Sequence, residues 1–359
     1  MNTIRCLIVI PLISLFVLSC VNRKMTGNIY DIFPESIDLH AGREVAIKGY
    51  LSTIGRMTIM DSIVIVQSYN STHNFYAYNI NTGTLVNKLV AYGRSNNESL
   101  WANMQNPYKD NFVMYDISKS VLGSIPLARI GDSAVIFDRI VVQKESSFIY
   151  NPDVNMISGG RFLFKGHDIT KNTVFKITDK NFNTLYDFGE VDEVESKDKI
   201  TPELIHMTQQ GNIVTNPDGT HFAYTSMCGD MIRFFDCSRE DHEPVETAAY
   251  QYNIPKFTIV DRSGLKGAAM SESNVVGVIA SAFGEDKFYM LHQSKTILDD
   301  AQKRSGNTVL VFDLSGKPLY MYKLDKDVRF ISYSRKTGSL IGLSVNERDE
   351  DVFIEFKLV

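Results

Sequence analysis

Short β-rich runs recur along almost the whole chain in groups of four, separated by turn residues, and this recurrence most limits what the chain can fold into. The clearest group is Ile54–Met60, Ser62–Ser68, Asn74–Ile80 and Thr84–Ala91, broken at Asp61, at Tyr69–His73 and at Asn81-Thr82-Gly83. The run Ile63-Val64-Ile65-Val66 is apolar on both faces, as a strand must be when sheets pack on either side of it. A second group uses Trp101–Gln105, Asn111–Asp116, Ser120–Leu127 and Ala134–Gln143. The third uses Asn155–Ser158, Arg161–Lys165, Thr173–Thr178 and Leu185–Phe188. A fourth uses Gly211–Thr215, Thr220–Ser226, Met231–Cys237 and Val245–Tyr252, and a fifth Val275–Ala282, Lys287–His292, Thr308–Leu314 and Pro318–Leu324. The last has only three runs: Val328–Ser334, Ser339–Ser344 and Val352–Leu358.

Six such sheets suit a β-propeller, and the strand missing from the last is available in the Ile37–Ile47 region. A ring closes when an N-terminal strand completes the C-terminal sheet, because that removes two exposed edges. The expected fold is therefore all-β, a six-bladed β-propeller closed by an N-terminal strand that completes the last blade.

The Thr215–Ser226 stretch, T-N-P-D-G-T-H-F-A-Y-T-S, carries the most specific turn. Pro217 presets φ for the first corner of a type I turn, and Gly219 can take the left-handed conformation that closes the hairpin. The phrase resembles the repeated S-P-D-G-x-x-I-A-Y/F hairpin of TolB-like β-propellers. A second resemblance lies at Tyr92–Glu98, similar to the G-x-G-P-x-E loop after the first blade in six-bladed propeller lipoproteins of Bacteroidetes. Gly93, Arg94 and Glu98 fit that loop, while Ser95 and Asn96 replace its usual Gly and Pro. The family is largely without assigned activity, so the resemblance implies an architecture and not a function.

Residues 1–19 read as an export signal: Arg5 is its only charge, and Leu7–Leu18 is an apolar core too short for a bilayer that needs roughly twenty residues. Ser19-Cys20 resembles a bacterial lipobox, in which the cysteine thiol takes a diacylglycerol; Leu18 departs from the small residue often found there. Cys20 is the expected lipidation site, residues 20–35 a lipidated tether, and residues 36–359 the propeller. No acidic retention or surface-export pattern follows Cys20, which leaves the outer membrane, facing the periplasm, as the expected address.

A net charge of −5 gives no basic field, so nucleic acid and anionic membrane surfaces are poor partners. Cys228 and Cys237 remain after the signal and the lipid site. A strand between them would hold their Cα atoms roughly 30 Å apart, against about 5.5 Å in a disulfide, so no bond is expected.

Loop length gives the functional hint. First-to-second turns are tight, whereas Gly189–Gln209, Asn253–Asn274, His292–Asn307 and Val345–Asp351 are long and fall on the opposite face. Two short helices are expected within them: Thr201 caps Pro202-Glu203 leading into Leu204–Gln209, and Thr296 similarly precedes Ile297–Arg304. The acidic Asn346–Asp351 offers oxygen ligands for calcium but lacks a binding-loop spacing. His73, His167 and His292 fall at second-to-third-strand loops and read as solvated histidines rather than as a metal site.

The candidate ligand- or partner-binding residues are Arg94, Asn97, Glu98, Asp168, Asp230 and His292, with Tyr92 or Trp101 placed to stack. The leading expectation is a monomeric, non-catalytic envelope lipoprotein that binds an unidentified protein or small molecule on its long-loop face, with no cofactor. The alternative is a metal-dependent propeller lyase or lactonase with a site in the central channel. A third possibility is a structural subunit of an outer-membrane uptake or assembly complex.

Overall fold

The computed structural model describes residues 25–49, 51–69, 72–299 and 304–359. Cys20 and the expected export signal lie outside them. Six sheets follow the grouping expected from the sequence. The first four blades run Ile54–Ala91, Ala102–Val141, Phe148–Glu190 and Gly211–Gln251, each an antiparallel four-stranded sheet. The fifth blade, Val275–Val328, has four consecutive strands, and the last has Phe330–Ser334, Ser339–Val345 and Asp351–Lys357.

The N-terminal region forms two strands rather than one. Ala41–Ala46 pairs antiparallel with Asp351–Lys357 and supplies the fourth strand of the last blade. Ser36–Leu39 instead pairs parallel with Pro318–Val328 as a fifth, outermost strand of the fifth blade. His40 divides them, and Asp325 holds that corner by accepting from the Ala41 amide at 2.9 Å.

Alternation along each strand sends successive side chains to opposite sides of its blade. Val64 and Val66 enter the apolar cluster between the first and last blades, while Ile65 enters the one between the first and second. Six such clusters fill the six gaps between neighbouring blades, including the gap between last and first. Six blades in an open row would have only five gaps, so the sixth cluster describes a ring. Between the third and fourth blades, Phe175, Phe188, Phe222 and Phe235 meet, and the buried Arg233 lies over two of these rings. Its guanidinium is held by Asp192 and Glu246, as a buried charge requires.

The Pro-Asp-Gly hairpin forms as its sequence dictates. Gly219 donates to the Asn216 carbonyl at 2.9 Å and has φ of 68°. The Asn216 side chain accepts from the amides of Thr220 and His221. Cys228 and Cys237 are free and buried, separated by the strand Met231–Asp236. Among the described residues no helix is long and apolar enough to cross a membrane.

The long segments meet expectation in one place and depart from it in others. Pro202–Thr208 is a helix, although Thr201 makes no side-chain cap hydrogen bond. Asn253–Asn274 contains a β-hairpin, Lys256–Arg262 with Leu265–Met270, turning through Ser263 (φ 56°) and Gly264 (φ 85°). Glu195–Ser196 joins it as a third strand. With the helix, this small sheet packs on Cys228 through Phe257, Ala268 and Met207, capping one side of the long-loop face. The expected second helix is absent from its described part: the strand Lys287–Thr296 runs on through Thr296, residues 297–299 turn, and residues 300–303 lie outside the described region.

Candidate functional site

The first strands of all six blades surround one central channel of about 1710 Å³. That is larger than the ~300–1,000 Å³ usual for a small-molecule pocket. Its two ends differ. At the tight face, the Lys109 amide of the second blade donates to the Pro217 carbonyl of the fourth at 3.2 Å, so those turns meet across a skipped blade. Arg335 of the last blade reaches Asp218 at 3.9 Å, and Lys336 pairs with Asp61 at 2.8 Å. These contacts tie the turns together across the tight end.

The long-loop half carries charged side chains on the channel wall. Arg56, on the first strand of the first blade, donates to the Met104 carbonyl at 2.8 Å and to the Asn212 side chain, and lies 3.8 Å from Asp153 of the third blade. Asp153 is buried, and its Oδ1 has no hydrogen-bond partner. Lys165, on the second strand of the third blade, is only 3% exposed. Its ammonium makes one long hydrogen bond, 3.5 Å to the Gln209 carbonyl, and lies 5.9 Å from the centre of the Tyr224 ring. Burial drives its pKa down to about 8, with Asp153 opposing and Arg56 adding to the fall.

Arg56, Asp153 and Lys165 escape a motif search because they are 97 and 12 residues apart and converge only through the ring. The available signal was a charge inside an apolar run, as in I-G-R-M-T-I-M and R-F-L-F-K-G-H-D.

The residues singled out from sequence are placed elsewhere; none of Arg94, Asn97, Glu98, Asp168, Asp230 and His292 is among those lining the channel. Arg94 and Asn97 are exposed on the loop between the first and second blades, with Tyr92 and Trp101 exposed beside them. Glu98 folds back onto its own loop, accepting from the Ser95 amide at 2.8 Å, and that bond holds its carboxyl below the usual range. A Cβ at Gly93 would come within 2.1 Å of Glu98 Oε2, so a larger residue there would displace that carboxylate. Lys119 ties the loop down through the carbonyls of Ser95 and Glu98.

Asp168 closes its own turn. Burial alone would raise its pKa, but bonds from Thr170 and Lys171 outweigh this and hold it low.

Asp230 and His292 do come together. Asp230 Oδ1 lies 2.6 Å from His292 Nε2, and His292 Nδ1 is 2.8 Å from the Tyr30 hydroxyl. Asn253 donates to the other Asp230 oxygen. Burial, reinforced by the charge of Asp230, pushes the Tyr30 hydroxyl up to about 12. The chain of contacts fastens the N-terminal turn Ile29–Ile32 onto the fourth and fifth blades. His167 is buried too, with Nε2 3.3 Å from the Asn172 side chain, so neither it nor His292 is the solvated histidine expected. The reason is that their strands extend further into the long-loop face than the sequence pattern showed.

The acidic Asn346–Asp351 loop satisfies itself, since Asn346 accepts from the amides of Arg348 and Glu350 and donates to the Glu350 carboxylate. Among the described residues, no three His, Cys, Asp or Glu side chains gather in a way that could hold a metal ion.

Six sheets in a ring around a central channel agree with the sequence comparison: the TolB-like 6-blade propeller-like family model matches residues 33–335. The chain belongs to the TolB-like six-blade propeller family. Among solved structures, this TolB-like propeller resembles a Bacteroides fragilis protein described as exported, with 12% identity and a TM-score of 0.52, covering 94% of this chain and 99% of that one. It also resembles a member of the DUF4221 family from Bacteroides vulgatus, with 10% identity and a TM-score of 0.52, covering 89% and 98%. At those identities the likeness shows the fold alone. No curated protein matches this TolB-like propeller in sequence.

Proposed function

We infer that this propeller is a non-catalytic binding module of the cell envelope, exported and held to the outer membrane by lipid on Cys20. It takes its ligand or partner from the long-loop face. The observation that carries the reading is the channel, tied across at the tight face and lined toward the other by buried polar groups without full partners. Buried polar atoms cost stability unless they are satisfied, so their retention beside an open cavity points to a ligand that satisfies them. The export leader and the Bacteroides protein described as exported support the address. The cap built from Lys256–Met270 and Pro202–Thr208 supplies a shaped rim, with Leu265 79% exposed at its tip. The metal-dependent lyase or lactonase alternative has no grouping of acidic and histidine side chains in its favour among the described residues.

The test is a thermal-shift screen of sugars, sugar acids, amino acids and nucleotides against the wild type, Arg56→Ala and a variant with residues 256–270 replaced by a short linker. A ligand that raises the wild-type melting temperature but neither variant's, at equal unliganded folding, is expected. If every hit stabilises all three proteins equally, the channel and its rim are not the binding surface.

A further inference from the structure

We propose that the long-loop half of the channel is an anion site, in which Arg56 and Lys165 bind the acidic group of a small hydroxyl-bearing organic ligand and Asp153 accepts one of its hydroxyls. This deepens, and rests on, the binding-module reading.

Charge balance comes first. Seven basic and five acidic side chains line the channel, in a chain whose net charge is −5. At the tight end Lys336 is paired with Asp61, and elsewhere on the wall Arg329 is paired with Asp351. Apart from the exposed Arg304 and Asp327 and the Arg329–Asp351 pair, the long-loop half has two cations, Arg56 and Lys165, against the single carboxylate of Asp153. One buried positive charge is left over, and a buried charge is costly until a counter-charge arrives. An incoming carboxylate or phosphate supplies it.

Hydrogen bonding points the same way. The Lys165 ammonium has three protons and one acceptor, at 3.5 Å, which leaves donors for a ligand. Arg56 is already oriented by the Met104 carbonyl and the Asn212 side chain, so little entropy is lost in aiming it. Asp153 Oδ1, buried and without a hydrogen-bond partner, calls for a donor such as a hydroxyl. Two donors and an orphaned acceptor, from the first and third blades, match a hydroxylated anion better than a bare inorganic ion.

The groups facing Lys165 also make its ionisation readable. Asp153 and Arg56 face it from the third and first blades, Tyr224 from the fourth, and His206 from the helix. Burial lowers the pKa of His206 and raises that of Tyr224 well above its ordinary value, so both stay neutral between pH 7 and 10. Lys165, by contrast, changes charge in that interval.

The probes are D-glucuronate, D-glucose 6-phosphate and neutral D-glucose, titrated by calorimetry into the full propeller, with Lys165→Met and Lys165→Arg alongside. At pH 7 at least one anion is expected to bind at least about tenfold tighter than glucose, as one charge-assisted contact provides. Whichever anion binds tighter identifies the acidic group. Lys165→Met should remove that preference. Lys165→Arg should keep it while abolishing the fall in affinity that the wild type shows as pH rises through about 8. Glucose binding as tightly as both anions overturns the anion assignment and leaves the binding module standing. Absence of binding by either anion at millimolar concentration, or an anion preference unchanged in Lys165→Met, overturns it too.

Discussion

Two glycines on the tight face separate backbone strain from crowding, which makes them a direct test of how the ring is assembled. Gly219 and Gly338 each close a first-to-second-strand turn, with φ of 68° and 62°. Alanine at either position meets the left-handed penalty of about 1–2 kcal/mol, partly offset by about 0.4–1 kcal/mol from a stiffer unfolded chain. At Gly338 a Cβ meets nothing within 4 Å, so Gly338→Ala should cost about 1 kcal/mol or less. At Gly219 a Cβ would lie 2.7 Å from Ile157 Cα and 2.7 Å from the Ser158 nitrogen. Those are backbone atoms of the third blade and cannot swing aside, so overpacking adds about 1–3 kcal/mol. The shift also loosens the Ser158 amide bond to the Gly219 carbonyl, 3.0 Å long, worth about 1 kcal/mol.

Gly219→Ala should therefore cost about 3–4 kcal/mol in all. With an unfolding entropy near 2.1 cal/mol/K per residue, that lowers the melting temperature by roughly 4–6 °C, against about 1 °C for Gly338→Ala. Differential scanning calorimetry of the two variants reads the difference. Melting temperatures within about a degree of each other would show that the fourth-blade turn does not press on the third blade, and the packing argument would fail.

Lys165 should be a stability liability at neutral pH. Its folded pKa of about 8 lies below the ordinary 10.5, so the unfolded chain binds more protons between those values and stability rises with pH across that window. Lys165→Met should accordingly be more stable than wild type by on the order of 3 kcal/mol at pH 7, with the gap closing toward pH 10.5 in denaturant titrations; a gap independent of pH would contradict this. Deleting Ser36–Lys48 removes both N-terminal strands and bares the outer edges of the fifth and last blades, so aggregation and a lower melting temperature are expected in light scattering and calorimetry. A deletion variant that remains monomeric and melts unchanged would mean those strands do not matter to closure. Cys20→Ser should move the protein from the detergent phase to the soluble envelope fraction, because acyl chains are its expected membrane anchor; unchanged partitioning would end the lipoprotein assignment.

Local chemistry is what the amino-acid sequence determined unaided. Runs such as Ile63–Val66 must be buried on both faces, Asn216–Gly219 must turn tightly, and an incomplete last group demands a strand from elsewhere. All three depend on residues adjacent in the chain, or on counting them. The Ser263-Gly264 turn was legible in the same way, as a dipeptide that favours positive φ, yet the surrounding length suggested an open loop. Arg56, Asp153 and Lys165 were not legible, because nothing in their spacing reveals that three different strands place them on one channel. Asp230 and His292, 62 residues apart, looked like exposed loop residues, but the packing of the fourth blade on the fifth buries them against Tyr30. Turn and strand formation are short-range matters of φ, ψ and side-chain alternation. Which polar groups end up buried, paired or facing a cavity depends on where the ring brings distant strands, and only the tertiary structure decided that.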